Sequence, residues 1–372
     1  MMNNSFNTVT IDRQALVNNY QLLSKLAGES RTLAMVKSDG YGHGQIETSQ
    51  ALAQAGCDLF GVAELSEGVE LRESGCRGEI LTFLGFDRGD VDYFFSCTLT
   101  PVVFTRTDLQ ALAAGSVKHN RSIEVYLKFD CGMSRLGFNP SEYQEIVEFC
   151  KSLKGLKVKG VMSHFPCSDE PDSPSNNAVY ERFTSLLNNS AEGSGFEGSL
   201  ANSGGLINQP QAHFGMVRTG ISLYGYHPAG RQAGQAEKLG LRPVLSFHSR
   251  VLQLNHIKAG TGVSYGHTFV AERDMTLGVL PVGYSDGYFR ALSGKGEVII
   301  RGKRVKICGR VCMNLCMVDV TDVTDVQEGD PVTLIGTEGS ETIDADEIGQ
   351  LSNTISYEVL CAIGNNNQRI YM

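Results

Sequence analysis

The sequence predicts an α/β barrel of the TIM type, with eight β/α units, followed by a mainly β domain. In the first two-thirds of the chain, eight short apolar segments alternate with segments of helical periodicity, which is typical of parallel β/α architecture. From about Leu241 onward, strand-like segments separated by glycine-rich turns follow one another with little helical patterning. We therefore expect a barrel domain over residues 8–235 and a mainly β domain over residues 241–372.

The apolar segments are the predicted barrel strands. They cover residues 32–36, 59–63, 79–84, 101–104, 123–130, 157–163, 198–201 and 214–217. Helical spacing of apolar residues predicts the intervening helices, and the first of these is capped by Asp12 and ends near Gly28. The further predicted helices cover residues 46–56, 64–75, 107–114, 141–153 and 175–189.

The second part of the chain has the shorter periodicity of strands. A stretch rich in glycine, alanine and glutamine, residues 228–240, is the predicted connection between the domains. The predicted strands that follow lie within residues 244–254, 276–282, 297–301, 305–308, 317–320 and 332–335, and one helix is predicted over residues 344–351.

Composition limits the functional classes. The net charge of −9 over 372 residues argues against a nucleic-acid partner, which requires a basic face. No apolar run is long enough to cross a bilayer and no basic cluster suggests a membrane surface, so we expect no membrane partner. Ten cysteines without a visible secretory signal predict reduced thiols and a cytoplasmic location.

Three cysteines, Cys308, Cys312 and Cys316, are regularly spaced and raise the question of a metal site. Structural zinc sites pair ligands from two hairpins or knuckles, and no matching second pair of cysteines follows in this sequence. We therefore expect no metal.

A lysine stands at the end of the first predicted barrel strand. Lys37 is followed by a glycine-rich loop, residues 40–44, which also contains Tyr41. Burial favours the neutral amine, which can form a Schiff base, and glycines let backbone N–H groups approach a phosphate. The combination suggests pyridoxal phosphate, whereas the plainer alternative is a solvated lysine beside an ordinary turn.

Polar residues also end later strands of the predicted barrel. Lys128 ends the fifth strand, His164 follows the sixth, Ser203 follows the seventh and Arg218 follows the eighth. Functional residues of such barrels lie at the carboxyl ends of the strands, so these side chains are expected to share one site. Taken singly, each has a plainer role as a core histidine, a turn serine or a surface ion-pair partner.

The run V-K-S-D-G-Y-G-H-G at residues 36–44 resembles the cofactor-lysine signature of the alanine racemase family, V-K-(A/S)-(D/N)-A-Y-G-H-G. Further segments are similar to that family's in the same order along the chain. They are K-F-D-C-G-M-S-R-L-G at residues 128–137, S-Y-G-H-T-F at 264–269, G-Y-S-D-G-Y-F-R at 283–290 and S-Y-E-V-L-C at 356–361. The resemblance covers nearly all of the chain and implies a racemase that depends on pyridoxal phosphate (PLP).

The resemblance also implies a cofactor site. Lys37 is implied to carry PLP, Arg218 to hydrogen-bond the pyridine nitrogen and His164 to lie beneath the ring. The implied phosphate ligands are Tyr41, Ser203, Gly220, Ile221 and Tyr357.

Substrate contacts follow from the same resemblance. Arg135 is implied to hold the phenolic oxygen of the cofactor and the substrate carboxylate, and the Met313 backbone is a second carboxylate contact. Lys128 matches a lysine that is carbamylated in many family members and then positions the arginine. An ordinary ion pair with Asp130 is the alternative at this position.

The two-base mechanism of the family requires a second proton-transfer group. Racemisation removes a proton from one face of the α-carbon and delivers one to the other face, and Lys37 and Tyr265 are implied to be the two groups. The tyrosine is implied to act across the interface of a homodimer, with Tyr284 and Arg290 lining the substrate entrance. Without the resemblance, Tyr265 is a tyrosine in a glycine-flanked turn.

Several positions depart from the family pattern. Asn314 stands where aspartate is usual, Leu315 where a polar residue is common and Thr219 where proline is usual, while Gly204 and Gly205 replace alanines. The altered loop adjoins a substrate contact, so a broad-specificity or serine racemase remains an alternative to an alanine racemase.

Two other classes were weighed against a racemase that acts on the small-molecule amino acid alanine. A fold-related PLP-dependent decarboxylase would carry a cysteine-bearing acid motif of the C-D-(G/S)-x-D type, which this sequence lacks. A non-catalytic PLP-binding barrel would lack the second domain, and about 130 residues follow the barrel here, an ordinary domain size. The activity that the resemblance implies is therefore kept as the expectation, namely interconversion of L- and D-alanine.

Overall fold

The computed structural model describes residues 5–188, 195–230 and 235–372 of the chain. Strand β1 (Thr8–Ile11) comes first, followed by a helix over Arg13–Ala27 that begins as predicted. The Asp12 carboxylate caps this helix by accepting a hydrogen bond from the Ala15 N–H, at 2.9 Å. Gly28, with a φ of 66°, ends it.

Eight parallel strands form the barrel, which confirms the predicted fold class. They are β2 (Arg31–Met35), β3 (Leu59–Val62), β4 (Glu79–Thr82), β5 (Thr100–Val103), β6 (Ile123–Lys128), β7 (Leu156–Met162), β8 (Glu197–Ser199) and β9 (Met216–Thr219). They are hydrogen-bonded in the order β8-β7-β6-β5-β4-β3-β2-β9. Backbone hydrogen bonds from Gly215 to Gly198 (3.1 Å) and from Arg218 to Ala201 (2.9 Å) bring β9 back to β8.

Helices alternate with these strands, as predicted, although the short helices over Asp92–Ser96, Ser203–Asn208 and Gln235–Leu239 were not predicted. Those of the barrel part lie at Gln45–Gln54, Leu65–Glu73, Asp92–Ser96, Arg106–His119, Tyr143–Ser152, Pro174–Asn188 and Ser203–Asn208. Later helices lie at Gln235–Leu239, Ala345–Ser352 and Ser356–Asn366. The helix over Ser356–Asn366 was not predicted, and residue 189 and part of the predicted connection lie outside the described residues.

The second domain is built mainly of strands. They are β10 (Leu245–Arg250), β11 (Gln253–Ile257), β12 (Gly262–Val263), β13 (Phe269–Val270), β14 (Met275–Leu280), β15 (Glu297–Ile300), β16 (Lys303–Lys306), β17 (Cys316–Asp319), β18 (Pro331–Glu338), β19 (Glu341–Ile343) and β20 (Arg369–Tyr371). The largest sheet of this domain has the order β16-β15-β18-β10-β1-β20, with β19 paired to β18, and β11-β14-β17 form a smaller sheet. The predicted mainly β character is confirmed.

Strand β1 belongs to the largest sheet of the second domain rather than to the barrel. It runs antiparallel to β10, with Val9 opposite Phe247, and parallel to β20, with Val9 opposite Arg369. Val9 and Ile11 are fully buried in this sheet, which explains the alternating pattern of the strand. The chain thus enters the barrel from the second domain, whereas the sequence assigned residues 8–235 to the barrel. The domain boundaries themselves stay a prediction.

Two further observations bear on the predicted classes. In the described parts of the chain, no group of three or more His, Cys, Asp or Glu side chains is arranged to hold a metal ion. None of the helices within those same parts is long and apolar enough to span a membrane.

Candidate active site

The chain after β2 forms a left-handed turn, which we define as residues 37–42. Ser38, Asp39, Gly40 and Tyr41 have φ angles of 55°, 52°, 63° and 54°. This conformation costs a residue other than glycine about 1–2 kcal/mol, so it persists only where neighbouring groups hold it. The sequence predicted a glycine-rich loop here and did not predict a left-handed turn containing Ser38, Asp39 and Tyr41.

An anion cradle lies beside this turn. The Ser203 Oγ accepts a hydrogen bond of 2.9 Å from the Gly220 N–H. A Cβ atom placed on Gly220 would lie 2.7 Å from the Tyr41 hydroxyl, so the space that the glycine leaves open faces that hydroxyl. A serine hydroxyl, a phenol and the backbone of Gly220 and Ile221 therefore converge, and such groups suit a phosphate.

Two further tyrosines complete the wall of the cradle. The ring of Tyr41 stacks on Tyr224 with 4.9 Å between centroids, and the Tyr224 hydroxyl donates to the Met35 carbonyl at 2.9 Å. Tyr357, at the start of the helix over Ser356–Asn366, lies 6.1 Å from Tyr41 between ring centroids. The five residues predicted as phosphate ligands thus belong to one region, and Tyr224 is a supporting residue that the sequence did not reveal.

Arg218 is buried at the end of β9 and is held by the strands around it. Its Nη1 donates to the Ser199 hydroxyl at 2.6 Å, and its Nη2 donates to the Ser163 carbonyl at 2.8 Å. Burial, with the positive charge of Arg135, lowers the pKa of Arg218 to about 9, so the guanidinium keeps its proton at neutral pH. The plainer interpretation of Arg218 as a surface ion-pair partner is therefore wrong.

His164 contacts Arg218 directly. Nη2 of Arg218 lies 3.0 Å from His164 Nδ1. A guanidinium can only donate, so Nδ1 is the acceptor and the proton of the neutral ring is on Nε2. Burial and the positive charge of Arg218 hold the pKa of His164 well below its usual range. The ring is therefore a neutral group at the carboxyl ends of the barrel strands, a region that we call the barrel mouth.

Asn202 supports both His164 and the helix that carries Ser203. Its Oδ1 accepts hydrogen bonds from the Gly205 N–H at 2.9 Å and from the Ser168 hydroxyl at 2.6 Å. These bonds turn its Nδ2 toward His164 Nε2, 3.3 Å away. Since both of these nitrogens are donors, this contact is a packing contact rather than a hydrogen bond.

Positive charge accumulates at the barrel mouth. Burial lowers the pKa of Lys37, and the charge of Arg135 lowers it further. Burial likewise lowers the pKa of Lys128 to about 8, and the charges of Arg218, Arg135 and Lys37 lower it further, while the charge of Asp130 opposes them. Both amines are therefore easier to deprotonate than an exposed lysine, and the pocket favours anionic groups.

Asp130 organises the loop that carries Arg135. Its Oδ1 accepts hydrogen bonds from the N–H groups of Gly132, Met133 and Ser134, and its Oδ2 accepts one from Arg135 at 2.7 Å. Burial opposes this charge, but the four backbone N–H groups lower the pKa of the Asp130 carboxyl. No ion pair joins Asp130 to Lys128 in the described residues. The plain ion-pair alternative for Lys128 is therefore not supported.

The predicted site residues of the second domain face solvent. Tyr265, Met313 and Tyr284 are 71%, 56% and 43% exposed, and Arg290 is also exposed. The backbone before Tyr265 is constrained, because Ser264 has a φ of 64° and its hydroxyl donates to the Arg310 carbonyl at 2.8 Å. Within one chain, Tyr265 thus faces solvent, whereas Lys37 is half-buried.

The loop around Met313 is fixed by the neighbouring turn. The N–H of Tyr284 donates to the Cys312 carbonyl at 3.1 Å, and the N–H of Ser285 donates to the Met313 carbonyl at 3.0 Å. In a trans peptide the N–H points away from the C=O, so the N–H groups of Met313 and Asn314 point away from this turn. An exposed pair of backbone donors results, of the kind that a carboxylate binds.

Two departures from the family pattern have a local physical reason. A Cβ on Gly204 would lie 2.6 Å from the Ser168 hydroxyl and 2.8 Å from its carbonyl oxygen, so the residue usual in the family would collide there. Thr219, which replaces a proline, is buried and donates through its hydroxyl to the Leu33 carbonyl at 3.1 Å.

The alanine racemase N-terminal domain family matches residues 11–228, and the alanine racemase C-terminal domain family matches residues 244–371. Alanine racemase of Syntrophobacter fumaroxidans is 39% identical to this chain, covering 96% of this chain and 95% of its own length. Alanine racemase of Nitratidesulfovibrio vulgaris (strain DSM 19637 / Miyazaki F) is 38% identical, covering 95% and 94%.

Solved structures agree with these matches. Alanine racemase from D-cycloserine producing Streptomyces lavendulae gives a TM-score of 0.93 at 32% identity and covers 98% of this chain and 97% of that one. Alanine racemase from Bartonella henselae, solved with covalently bound pyridoxal phosphate, gives 0.89 at 30% identity and covers 99% and 100%. With both domains matched in order and sequence identity maintained along nearly its full length, the chain belongs to the alanine racemase family.

Proposed function

We propose that this protein interconverts L- and D-alanine with pyridoxal phosphate, using Lys37 and Tyr265 as the two proton-transfer groups. The observation that carries the proposal is the convergence at the barrel mouth of a half-buried lysine with a lowered pKa, an anion cradle and a buried arginine. The relatives named above are alanine racemases, and one was solved with the cofactor covalently bound.

The residues at the barrel mouth fit this cofactor. Lys37 supplies the amine for its covalent attachment, and the phosphate suits the cradle of Tyr41, Ser203, Gly220 and Ile221, with Tyr357 beside it. The space that the glycine leaves open before the Tyr41 hydroxyl supports this fit, because a Cβ there would fill it. When bound, the cofactor withdraws electrons from the substrate and makes the α-proton more acidic.

Arg218 would determine whether the pyridine nitrogen of the cofactor is protonated. A guanidinium has five N–H donors and no acceptor, and the bonds of Arg218 to Ser199, Ser163 and His164 use Nη1 and Nη2. The Nε–H remains available for the pyridine nitrogen, which must then stay unprotonated. With Arg218 as its partner, a bound cofactor would be a weaker electron sink, which would favour brief removal and return of one proton over transamination.

Lys37 and Tyr265 divide the proton transfers in this proposal. The lowered pKa of Lys37 increases the fraction of its neutral amine, the form that can accept a proton on one face of the substrate. Tyr265 is too exposed in its own chain to work in a site that excludes water. We therefore infer a homodimer in which Tyr265 of the partner subunit serves the opposite face.

Substrate recognition falls to groups from both domains. Arg135 and the outward N–H of Met313 suit the substrate carboxylate, and Tyr284 and Arg290 suit the entrance. We propose that Lys128 is at least partly carbamylated, because a buried amine with a pKa of about 8 reacts as the free base and Asp130 forms no ion pair with it. The carbamate would give Arg135 an acceptor that an ammonium cannot provide.

Two further proposals concern the range of amino acids that the protein accepts and its location in the cell. Asn314 and Leu315 support a broad-specificity or serine racemase as the second candidate, because they alter the loop that presents the Met313 N–H. A decarboxylase has no comparable support. All ten cysteines are unpaired, which supports a reducing, cytoplasmic location.

The test follows deuterium and chirality at the α-carbon in heavy water, with each enantiomer of alanine. The wild-type protein should racemise both. Tyr265→Phe keeps the ring but removes the hydroxyl, and should slow racemisation by about 10²- to 10⁴-fold. Lys37 should still exchange D-alanine in this variant, whereas exchange of L-alanine should nearly stop.

Parallel reactions make the assignment specific. If Tyr265→Phe slows exchange of both enantiomers equally, Tyr265 is a structural residue and the two-base proposal is wrong. L-Serine and L-lysine measure the breadth of the racemase, and amine release from either substrate would instead indicate a decarboxylase.

A further inference from the structure

We propose that three side chains outside the cofactor cradle, those of His43, Glu67 and Arg369, are positioning residues for the cofactor. They hold the left-handed turn of residues 37–42, which carries Lys37 at its start and Tyr41 near its end. The inference rests on the proposed function, since it assumes that these two residues bind the covalent and the phosphate ends of one rigid molecule.

His43 fastens the end of the turn. Its fully buried ring places Nδ1 3.0 Å from the carbonyl oxygens of both Gly40 and Tyr41. Both of these atoms are acceptors, so Nδ1 carries the proton and donates to the two carbonyls. Burial lowers the pKa of His43 to about 4, so the ring is neutral at physiological pH. The ring also packs on Tyr224 at 4.4 Å, and Tyr224 in turn stacks on Tyr41.

Glu67 fastens the start of the turn. Its Oε1 accepts a hydrogen bond of 2.7 Å from the Ser38 N–H, the first peptide after Lys37. Its Oε2 accepts a bond of 2.6 Å from the Ala63 N–H, just after β3. One carboxylate therefore connects the cofactor lysine to the next unit of the barrel.

Arg369 fastens the middle of the turn from the second domain. Its Nη1 lies 2.5 Å from Asp39 Oδ2 and donates to the Gly42 carbonyl at 3.2 Å. The other oxygen of Asp39 accepts from the Gln45 N–H at 2.7 Å. Because Arg369 begins β20, this link ties the turn to the sheet of the second domain.

The backbone of the turn has no room to relax toward the C-terminal helix. A Cβ on Gly42 would lie 2.4 Å from the Leu360 carbonyl oxygen, and one on Gly364 would lie 1.9 Å from that of Gly42. Without the hydrogen bonds of His43, Glu67 and Arg369, the turn would therefore move away from this helix and become more extended. In extended backbone each residue spans about 3.3–3.6 Å. The distance between Lys37 and Tyr41 would grow, while the pyridine ring between aldehyde and phosphate cannot stretch.

The test titrates the cofactor-free protein with pyridoxal phosphate and follows the absorbance of the bound form. An Asn side chain can place a donor near the position of Nδ1, whereas a Gln side chain places it near Nε2. His43→Asn should therefore bind the cofactor within about threefold of wild type. His43→Gln should bind it about tenfold more weakly, a loss of about 1.4 kcal/mol.

Arg369→Gln provides a second variant, since Arg369 is only half-buried and its loss leaves the core intact. It should weaken cofactor binding by about fivefold. Arg273→Gln is the matched control. It removes an exposed ion pair of 2.8 Å to Asp322, which is far in sequence from the turn of residues 37–42. The control should bind as wild type does, and thermal unfolding reports whether each variant folds.

Borohydride reduction and peptide mapping separate the two proposals. If the wild-type protein is not labelled at Lys37, the proposed function and this inference both fail. If wild type is labelled and both His43→Gln and Arg369→Gln bind as tightly as it does, the positioning inference alone is wrong. Should His43→Gln not fold, the affinity of Arg369→Gln decides the matter, with unchanged binding overturning the inference.

Discussion

The barrel mouth and the loops of the second domain carry the two halves of the proposed site, and they differ in exposure to solvent. At the barrel mouth, Lys128 and Arg218 are buried and held by charge and hydrogen bonds. On the second domain, Tyr265 and Met313 are exposed to solvent, although hydrogen bonds fix the backbone around them. A rigid backbone that presents large exposed side chains is typical of a surface that another surface covers.

The difference in burial between the two halves distinguishes the steps that one chain can perform from the step that needs a second copy. Burial shifts the pKa of Lys37 and of His164 because water is excluded from the barrel mouth. Tyr265 is 71% exposed, so water surrounds its side chain. In the proposed mechanism, a single chain therefore binds and tunes the cofactor, and the second proton transfer takes place at the barrel mouth of another copy.

The largest expected effect comes from mixing two inactive variants. In the proposed dimer, each site takes Lys37 from one subunit and Tyr265 from the other. Lys37→Ala and Tyr265→Phe homodimers should each lose about 10²-fold or more of their activity. In a mixed dimer the two defects fall in one site and the other site is intact. A purified mixed dimer should recover about half of the wild-type rate, by counting of sites.

The control for this experiment replaces one partner by the Lys37→Ala/Tyr265→Phe double variant. Mixed with Lys37→Ala, it leaves no site with a lysine, so no activity should return. Absence of recovery in the first mixture, with dimers shown by their mass in solution, would mean that each chain supplies both groups. The division between the two halves of the site would then be wrong.

A smaller effect tests whether the barrel mouth is complete in its own chain. Carbon dioxide adds to the neutral amine of Lys128, forming an N–C bond and releasing one proton. Since the pKa of this amine is lowered to about 8, the carbamate should increase as the pH rises through that value at constant dissolved carbon dioxide. Carbon-13 NMR with labelled carbon dioxide should show a signal that Lys128→Ala removes.

The activity of Lys128→Ala should fall about tenfold, the size expected when one hydrogen bond to a charged group is lost. Lys258→Ala is the control, because Lys258 is exposed and pairs with Asp274 away from the barrel. A carbamate signal that survives in Lys128→Ala would contradict the assignment. Arg135 would then be positioned by the Asp130 loop alone.

Local signals predicted the barrel, and non-local contacts explain what was missed. The eight strands follow from short apolar segments, a pattern set by residues close in the sequence. The place of β1 depends on β10 and β20, which lie more than 230 residues further along the chain. No local pattern distinguishes such a strand from one in the barrel.

In the candidate site, too, local sequence predicted some features, while others depend on residues distant in the sequence. Lys37, Arg218 and Ser203 were predicted from strand ends and from the resemblance, and the structure brings them to one end of the barrel. The left-handed turn was missed because side chains distant in sequence, such as Glu67 and Arg369, hold it. His43 lay in the motif itself, and its position beside the turn was the available signal.

Asn314 gives the smallest predicted effect and concerns the exposed half of the site. Its Nδ2 donates to the Ser285 hydroxyl at 2.6 Å, and that hydroxyl donates to the Met313 carbonyl at 2.8 Å. An amide at position 314 therefore leaves the hydroxyl proton free to fix the Met313 peptide. An aspartate, usual in the family, cannot donate and would draw that proton to itself.

Asn314→Asp should therefore loosen the Met313 peptide and place a negative charge beside the proposed carboxylate contact. We expect the KM for alanine to rise about fivefold, the effect of losing one hydrogen bond of about 1 kcal/mol, while kcat changes less than about twofold. Steady-state kinetics in both directions measures the split. Gln253→Glu is the control, because it makes the same change from amide to carboxylate at an exposed position at the start of β11. A fall in kcat with unchanged KM would mean that Asn314 acts on the proton transfers and not on the binding of the substrate.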